Sequence, residues 1–153
     1  MEIEIGPEWT TANYQIEYHS SQHSFLATPQ PSGGIASILF NDLQLEIDDS
    51  GLVLYVWGLF PHLSRCMATD FMAPVAEKRL LRFSGIEEIT PGVSVRYNSV
   101  PWDCFVNMRS GWVGVGNPKA VEESLAIEFG PNQIAVIDNG KIVTVWLRSS
   151  CHS

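Results

Sequence analysis

The stretch "LAIEFGPNQIAVIDNGKIVTVWL", Leu125 to Leu147, decides the fold class. Its three apolar runs, "LAIEF", "QIAVID" and "KIVTVWL", are rich in β-branched and aromatic residues and are parted by "GPN" and "NG". Asn and Gly tolerate the positive φ angles that a two-residue hairpin turn requires, so Asn139-Gly140 is the strongest short-range hairpin signal a sequence offers. The reading is three successive antiparallel strands.

Working outward, the same period of two recurs. "YQIEYHS" sets Tyr14, Ile16 and Tyr18 on one face and Gln15, Glu17 and His19 on the other, the pattern of a half-buried strand. "LQLEI" repeats it with Leu43, Leu45 and Ile47 inward, "DDSG" supplies turn chemistry, and "LVLYVWG" returns, which predicts a hairpin with Asp48 and Asp49 at its exposed tip. "VSVRY", "CFVNM" and "WVGVG" add strands, the last two around the turn residues "RSG". "ATPQPSGG", Ala27 to Gly34, denies both helix and ladder and reads as a surface loop. Helical propensity is confined to two places. One is a short turn or loop from Pro74 leading into a strand from about Arg79 to Phe83; the other is "NPKAVEES", with Asn117 as cap and Pro118 in the first turn. About eight to ten short strands with one or two short helices make the class α+β, mainly β, built mostly of antiparallel sheet in hairpins. No strand-helix alternation offers a cofactor crevice.

A chain of 153 residues suits one domain spanning 1–153, long enough to bury a sizeable core. Its longest apolar run, Gly51 to Phe60, is far shorter than the roughly 20 residues of a membrane-spanning helix, so no membrane partner is expected. The start "MEIEIGPEW" has acids where a secretory signal has bases, which points to the cytoplasm. Cys66, Cys104 and Cys151 are odd in number and widely spaced, which fits reduced thiols better than a disulfide framework or a zinc site.

Charge is unevenly placed. Residues 1–64 hold eight carboxylates and no Lys or Arg, whereas nine acids and nine bases follow from Arg65 onward, so the net charge of −8 resides in the first 64 positions. Phosphate contacts require Lys and Arg, so nucleic acid is not an expected partner; a basic protein is.

No catalytic signature stands out. His19 and His23 have helical metal-site spacing, but the position after His19 is Ser20 and the flanks read as strand end and loop. Glu46, Asp48 and Asp49 could pair as carboxylates, yet Asp at a hairpin tip bonds its own backbone. Cys66 follows His62 by four residues without marks of a thiolate beyond Arg65. The glycines of "GWVGVG" lack dinucleotide-loop spacing, and no cofactor motif is present. Trp57 and Trp146 sit mid-strand, where core packing is the usual role, while Trp102 after Pro101 reads as partly exposed.

Three segments carry a family resemblance: "VWGLFPHLS" (Val56 to Ser64), "GWVGVGNP" (Gly111 to Pro118) and "IEFGPNQIAVIDNGKIVTVWLRS" (Ile127 to Ser149). They resemble segments of small bacterial immunity proteins of polymorphic-toxin and contact-dependent growth inhibition systems. The resemblance covers about a quarter of the chain and implies a cytoplasmic, non-enzymatic protein, without cofactor or metal, that neutralises a cognate toxin domain, often a nuclease. An acidic surface would suit the basic cleft of such a toxin. The residues expected at the contact are Glu46, Asp48, Asp49, Trp57 and His62, in a protein that is a monomer or a dimer. The alternative is a small-ligand binder or enzyme with an aromatic pocket of Trp102, Phe105 and Trp112 beside Asp103.

Overall fold

The computed structural model describes residues 1–86, 89–119 and 124–150. Its strands are β1 (Glu2–Glu8), β2 (Gln15–His19), β3 (Ser24–Thr28), β4 (Ala36–Phe40), β5 (Leu43–Ile47), β6 (Val53–Leu59), β7 (Met67–Ala68), β8 (Glu77–Ser84), β9 (Ser94–Arg96), β10 (Cys104–Val106), β11 (Val113–Gly116), β12 (Leu125–Gly130), β13 (Gln133–Asp138) and β14 (Lys141–Leu147). A single 3₁₀ turn, Leu63–Arg65, is the one helical element among the described residues. Of the turn or loop expected from Pro74, the structure has the loop, which leads into β8 at Glu77, two residues before the expected strand start. Residues 120–123 of the second expected helical turn lie outside the described residues, as does Cys151.

Two sheets pack face to face. One runs β1-β8-β12-β13-β14-β11-β10-β7 and the other β2-β3-β6-β5-β4-β9. The hairpins β12-β13-β14 and β5-β6 form as their turn residues dictate, with Asn132 and Asn139 at positive φ. Most strand pairings are antiparallel, as expected, but each sheet is mixed. β7 lies parallel to β10, β8 to β12 and β9 to β4. These partners are remote in sequence, and period-two patterning reports which face a strand buries, not which strand lies beside it.

Between the sheets lies the main core. Ile16, Ile38, Leu45, Val56 and Phe60 from the smaller sheet meet Leu81, Ile127, Ala135, Val145 and Leu147 from the larger one. A second cluster covers the far side of the larger sheet, where Phe105, Ile134, Val136 and Trp146 pack beneath Ala73, Ala76 and Trp112. The two sheets are also joined by a polar bridge. β3 pairs with β6 only at Ser24–Leu59 and Phe25–Gly58, and Val56 N–H donates instead to Gln133 Oε1 of β13 at 2.8 Å. Gln133 is fully buried, and its Nε2 donates to Tyr14 Oη at 3.0 Å and to the Pro131 carbonyl at 3.3 Å.

A small part of the uneven charge of the sequence is offset in space. β1 pairs with β8 so that Glu4 stands opposite Arg82 and Glu8 opposite Arg79, while Arg79 Nε also donates to the Gly6 carbonyl at 2.7 Å. Opposite charges directly across an antiparallel pair stabilise it by roughly 0.2–1 kcal/mol each. Part of the base-free half is thus matched by the basic strand and does not add to a free acidic surface.

Candidate functional site

The five expected contact residues fall into three places along the β5-β6 hairpin. Glu46 and Trp57 meet on the outer face of the smaller sheet, where Trp57 Nε1 donates to Glu46 Oε1 at 2.9 Å. Strict alternation from the buried Val53 would turn Tyr55 and Trp57 toward the core. An irregularity between Glu46 and Ile47 makes Ile47 face Val53 and Glu46 face Tyr55, so Val56 points inward and Trp57 outward. Around them the same face carries Gln44 opposite Trp57, Leu59 opposite Ser24 and Leu26 opposite Glu17. Leu26 and Leu59 are 38% and 56% exposed, and Trp57 is half-buried. The loop after β3 leans over one end of this face: Gly34 lies against the Glu46 side chain, and Gln30 bonds Tyr55. Burial pushes the Glu46 carboxyl above its ordinary range, and the Trp57 hydrogen bond partly offsets that.

Asp48 is not free at the tip. Its Oδ1 accepts from Ser50 N at 2.8 Å, Ser50 Oγ at 2.7 Å and Leu52 N at 3.0 Å, which closes the turn, whereas Asp49 is exposed. The tip itself is docked on β8, with Phe83 N–H donating to the Gly51 carbonyl at 2.9 Å and Arg82 to the Ser50 carbonyl at 3.0 Å. Gly51 has φ +86°, and a Cβ there would strike the Phe83 carbonyl oxygen, so only glycine allows this approach. Burial raises the Asp48 carboxyl, but the Ser50 and Leu52 hydrogen bonds and the Arg82 charge outweigh it and hold the group below its ordinary 3.8. Asp48→Ala is expected to cost about 1–2 kcal/mol at neutral pH, read as a lower urea midpoint. Because the folded pKa is depressed, that contribution is complete above the unfolded value and is lost as pH falls through the folded one.

His62 lies at the other end of β6, roughly 25 Å from the tip at about 3.3 Å per residue. It helps line a cleft of about 580 Å³ with Asn41, Asp42, His23 and Arg65 over Phe40 and Val115. The His23 and His62 rings meet edge to face at 5.8 Å. Ser64 Oγ stands 2.7 Å from His62 Nδ1, but the same nitrogen accepts the Ser64 N–H at 3.2 Å, so the contact caps the 3₁₀ turn. Cys66 Sγ faces the His62 carbonyl at 3.7 Å and not the ring. Burial, and next the neighbouring Cys104, push the Cys66 thiol up to about 11, so it is protonated at neutral pH.

The expected aromatic pocket does not assemble. Trp102 packs on the core side, tilted against Phe40 and edge to face with Tyr97, while Phe105 and Trp112 belong to the cluster on the opposite face of the larger sheet. Asn41 holds the Trp102 segment from both sides, accepting its N–H at 2.9 Å and donating to its carbonyl at 2.8 Å. Arg148 lies over the Trp112 ring at 5.3 Å. His19 pairs with Glu17 at 3.4 Å, apart from His23, and among the described residues no three His, Cys, Asp or Glu side chains converge to hold a metal ion. No described helix is long and apolar enough to cross a membrane. Leu26 and Leu59 are the exposed apolar neighbours of Trp57 on this face that sequence reasoning missed; the exposed side of "SFLAT" was the available signal. Comparison of the chain with protein-family models and with curated proteins gives no match.

Proposed function

We propose that the protein is a non-enzymatic binding protein of the immunity type, which neutralises a basic, nuclease-type toxin domain held on the outer face of the smaller sheet. The observation that carries this reading is Trp57, turned out of the core by the β5-β6 irregularity, pinned to Glu46 and sharing its face with exposed Leu26 and Leu59. A rigid indole beside aliphatic side chains is the usual centre of a binding hot spot. The carboxylates Glu17 and Glu46 flank it, with Asp49 at the hairpin tip beyond. Glu46 is already short of water, so a partner's Lys or Arg gains a strong interaction at small further desolvation cost.

Affinity capture from a lysate of the source organism, eluted with rising salt and reconstituted from purified components, tests this. The expected result is a basic protein whose association rate drops roughly tenfold or more from low to high salt and whose toxicity the complex suppresses. Salt-insensitive binding to an acidic partner contradicts it.

The cleft beside His62 supports a second reading, a small-ligand site, through its volume of about 580 Å³ and its mixed polar and apolar walls. A small molecule retained through purification and lost from an Arg65→Gln variant would favour that reading over the first.

A further inference from the structure

We infer that Cys66 and Cys104 form a site of covalent modification, an intramolecular disulfide made by exchange with a low-molecular-weight disulfide such as glutathione disulfide. The register places the two residues side by side. β7 runs parallel to β10 with Met67 opposite Phe105 and Ala68 opposite Val106, so one step back sets Cys66 opposite Cys104. Cys66 continues the strand direction, with φ −88° and ψ 150°. Neighbouring strands lie about 4.7–4.9 Å apart, inside the roughly 4.4–6.8 Å Cα separation that a disulfide spans. Both side chains pack against the same core cluster, so they leave the strand pair on one face. Both thiols are free, and Cys104 lines the cleft, which gives a small disulfide its route in.

The exchange balances without a metal. The Cys104 thiolate attacks one sulfur of glutathione disulfide and expels a glutathione thiolate, leaving a mixed disulfide on Cys104. The Cys66 thiolate then attacks the Cys104 sulfur and expels the second glutathione. Two protein thiols are oxidised, one glutathione disulfide is reduced, and the two thiol protons end on the two glutathione thiols. Burial raises both thiols above their ordinary range, so few molecules carry a thiolate at neutral pH and the exchange is slow there and faster in mild alkali.

The bond would fix the wall of the cleft to its floor. His62, Ser64 and Arg65 belong to the 3₁₀ turn just before Cys66, and β10 starts at Cys104. Oxidation therefore ties the turn to the larger sheet and closes the loop from Met67 to Asp103.

The test uses the folded Cys151→Ser protein, incubated with glutathione disulfide in mild alkali and mapped by mass spectrometry of unreduced peptides. The expected product is a single species that has lost two hydrogens, contains a Cys66–Cys104 cross-linked peptide, reverts with dithiothreitol and melts several degrees higher. The Cys66→Ser variant should stop at a glutathione adduct on Cys104. Two glutathione adducts on one chain, thiols that stay free in the folded protein, or a cross-link between chains would each overturn the inference. Circular dichroism of each variant separates failed folding from failed exchange.

Discussion

Gln133→Ala is expected to destabilise the fold by about 3–4 kcal/mol, one of the two largest losses from a single substitution in this protein. The side chain has no exposure and serves three partners at once. Its Oε1 accepts the Val56 N–H that β3 leaves without a strand partner, and its Nε2 bonds Tyr14 and Pro131. Truncation orphans a buried backbone donor, a cost of about 1–3 kcal/mol, and opens a cavity between the sheets as well. Gln133→Met separates the two contributions, because it keeps most of the volume and loses only the hydrogen bonds. Urea denaturation followed by Trp fluorescence is the measurement. A loss below about 1 kcal/mol for Ala would show that Val56 finds another acceptor and that the bridge does not hold the sheets.

Trp146→Ala is expected to cost about 3–5 kcal/mol for a different reason. Trp146 is buried on the side of the larger sheet away from the main core, edge to face with Phe105 at 4.7 Å and packed with Ile134 and Val136. Gly114 sits opposite both aromatics in register, and a Cβ there would strike the Phe105 ring and the Val145 carbonyl oxygen. The pair thus depends on the glycine between its strands. Ala73 and Ala76 close over this cluster, so the variant should also release the segment before β8, read as faster protease cleavage between Phe71 and Ala76. Trp146→Phe should keep most of the stability. Equal loss in both variants, with the segment still protected, would contradict this account of what covers the sheet.

The readable and unreadable parts of the sequence divide along local and non-local lines. Strands β12, β13, β14, β5 and β6 follow from apolar β-branched and aromatic runs, from the alternation of β5, and from turn residues that only a hairpin needs. The parallel pairings of Met67, Ser94 and Glu77 with Phe105, Ser37 and Ile127 left no local trace, because nothing in a short strand names a distant neighbour. β1 is announced only by the alternation of "EIEI", and no local signal shows that Arg82 and Arg79 lie across from Glu4 and Glu8. At the candidate site, Trp57 sits in a run apolar at nearly every position, so its face is set by one irregularity and not by periodicity. Asp48 was read as exposed; its turn-closing bonds and the docking of the tip on β8 depend on the opposite sheet.

The proposed partner site is the outer face of the smaller sheet. It is tested most directly by the dissociation constants, for the reconstituted complex, of Trp57→Ala and of Trp112→Ala on the opposite sheet. The expected result is a loss of about 2 kcal/mol or more, roughly thirtyfold, for Trp57→Ala and an unchanged constant for Trp112→Ala. Unchanged affinity for Trp57→Ala, or the larger loss at Trp112, would contradict it.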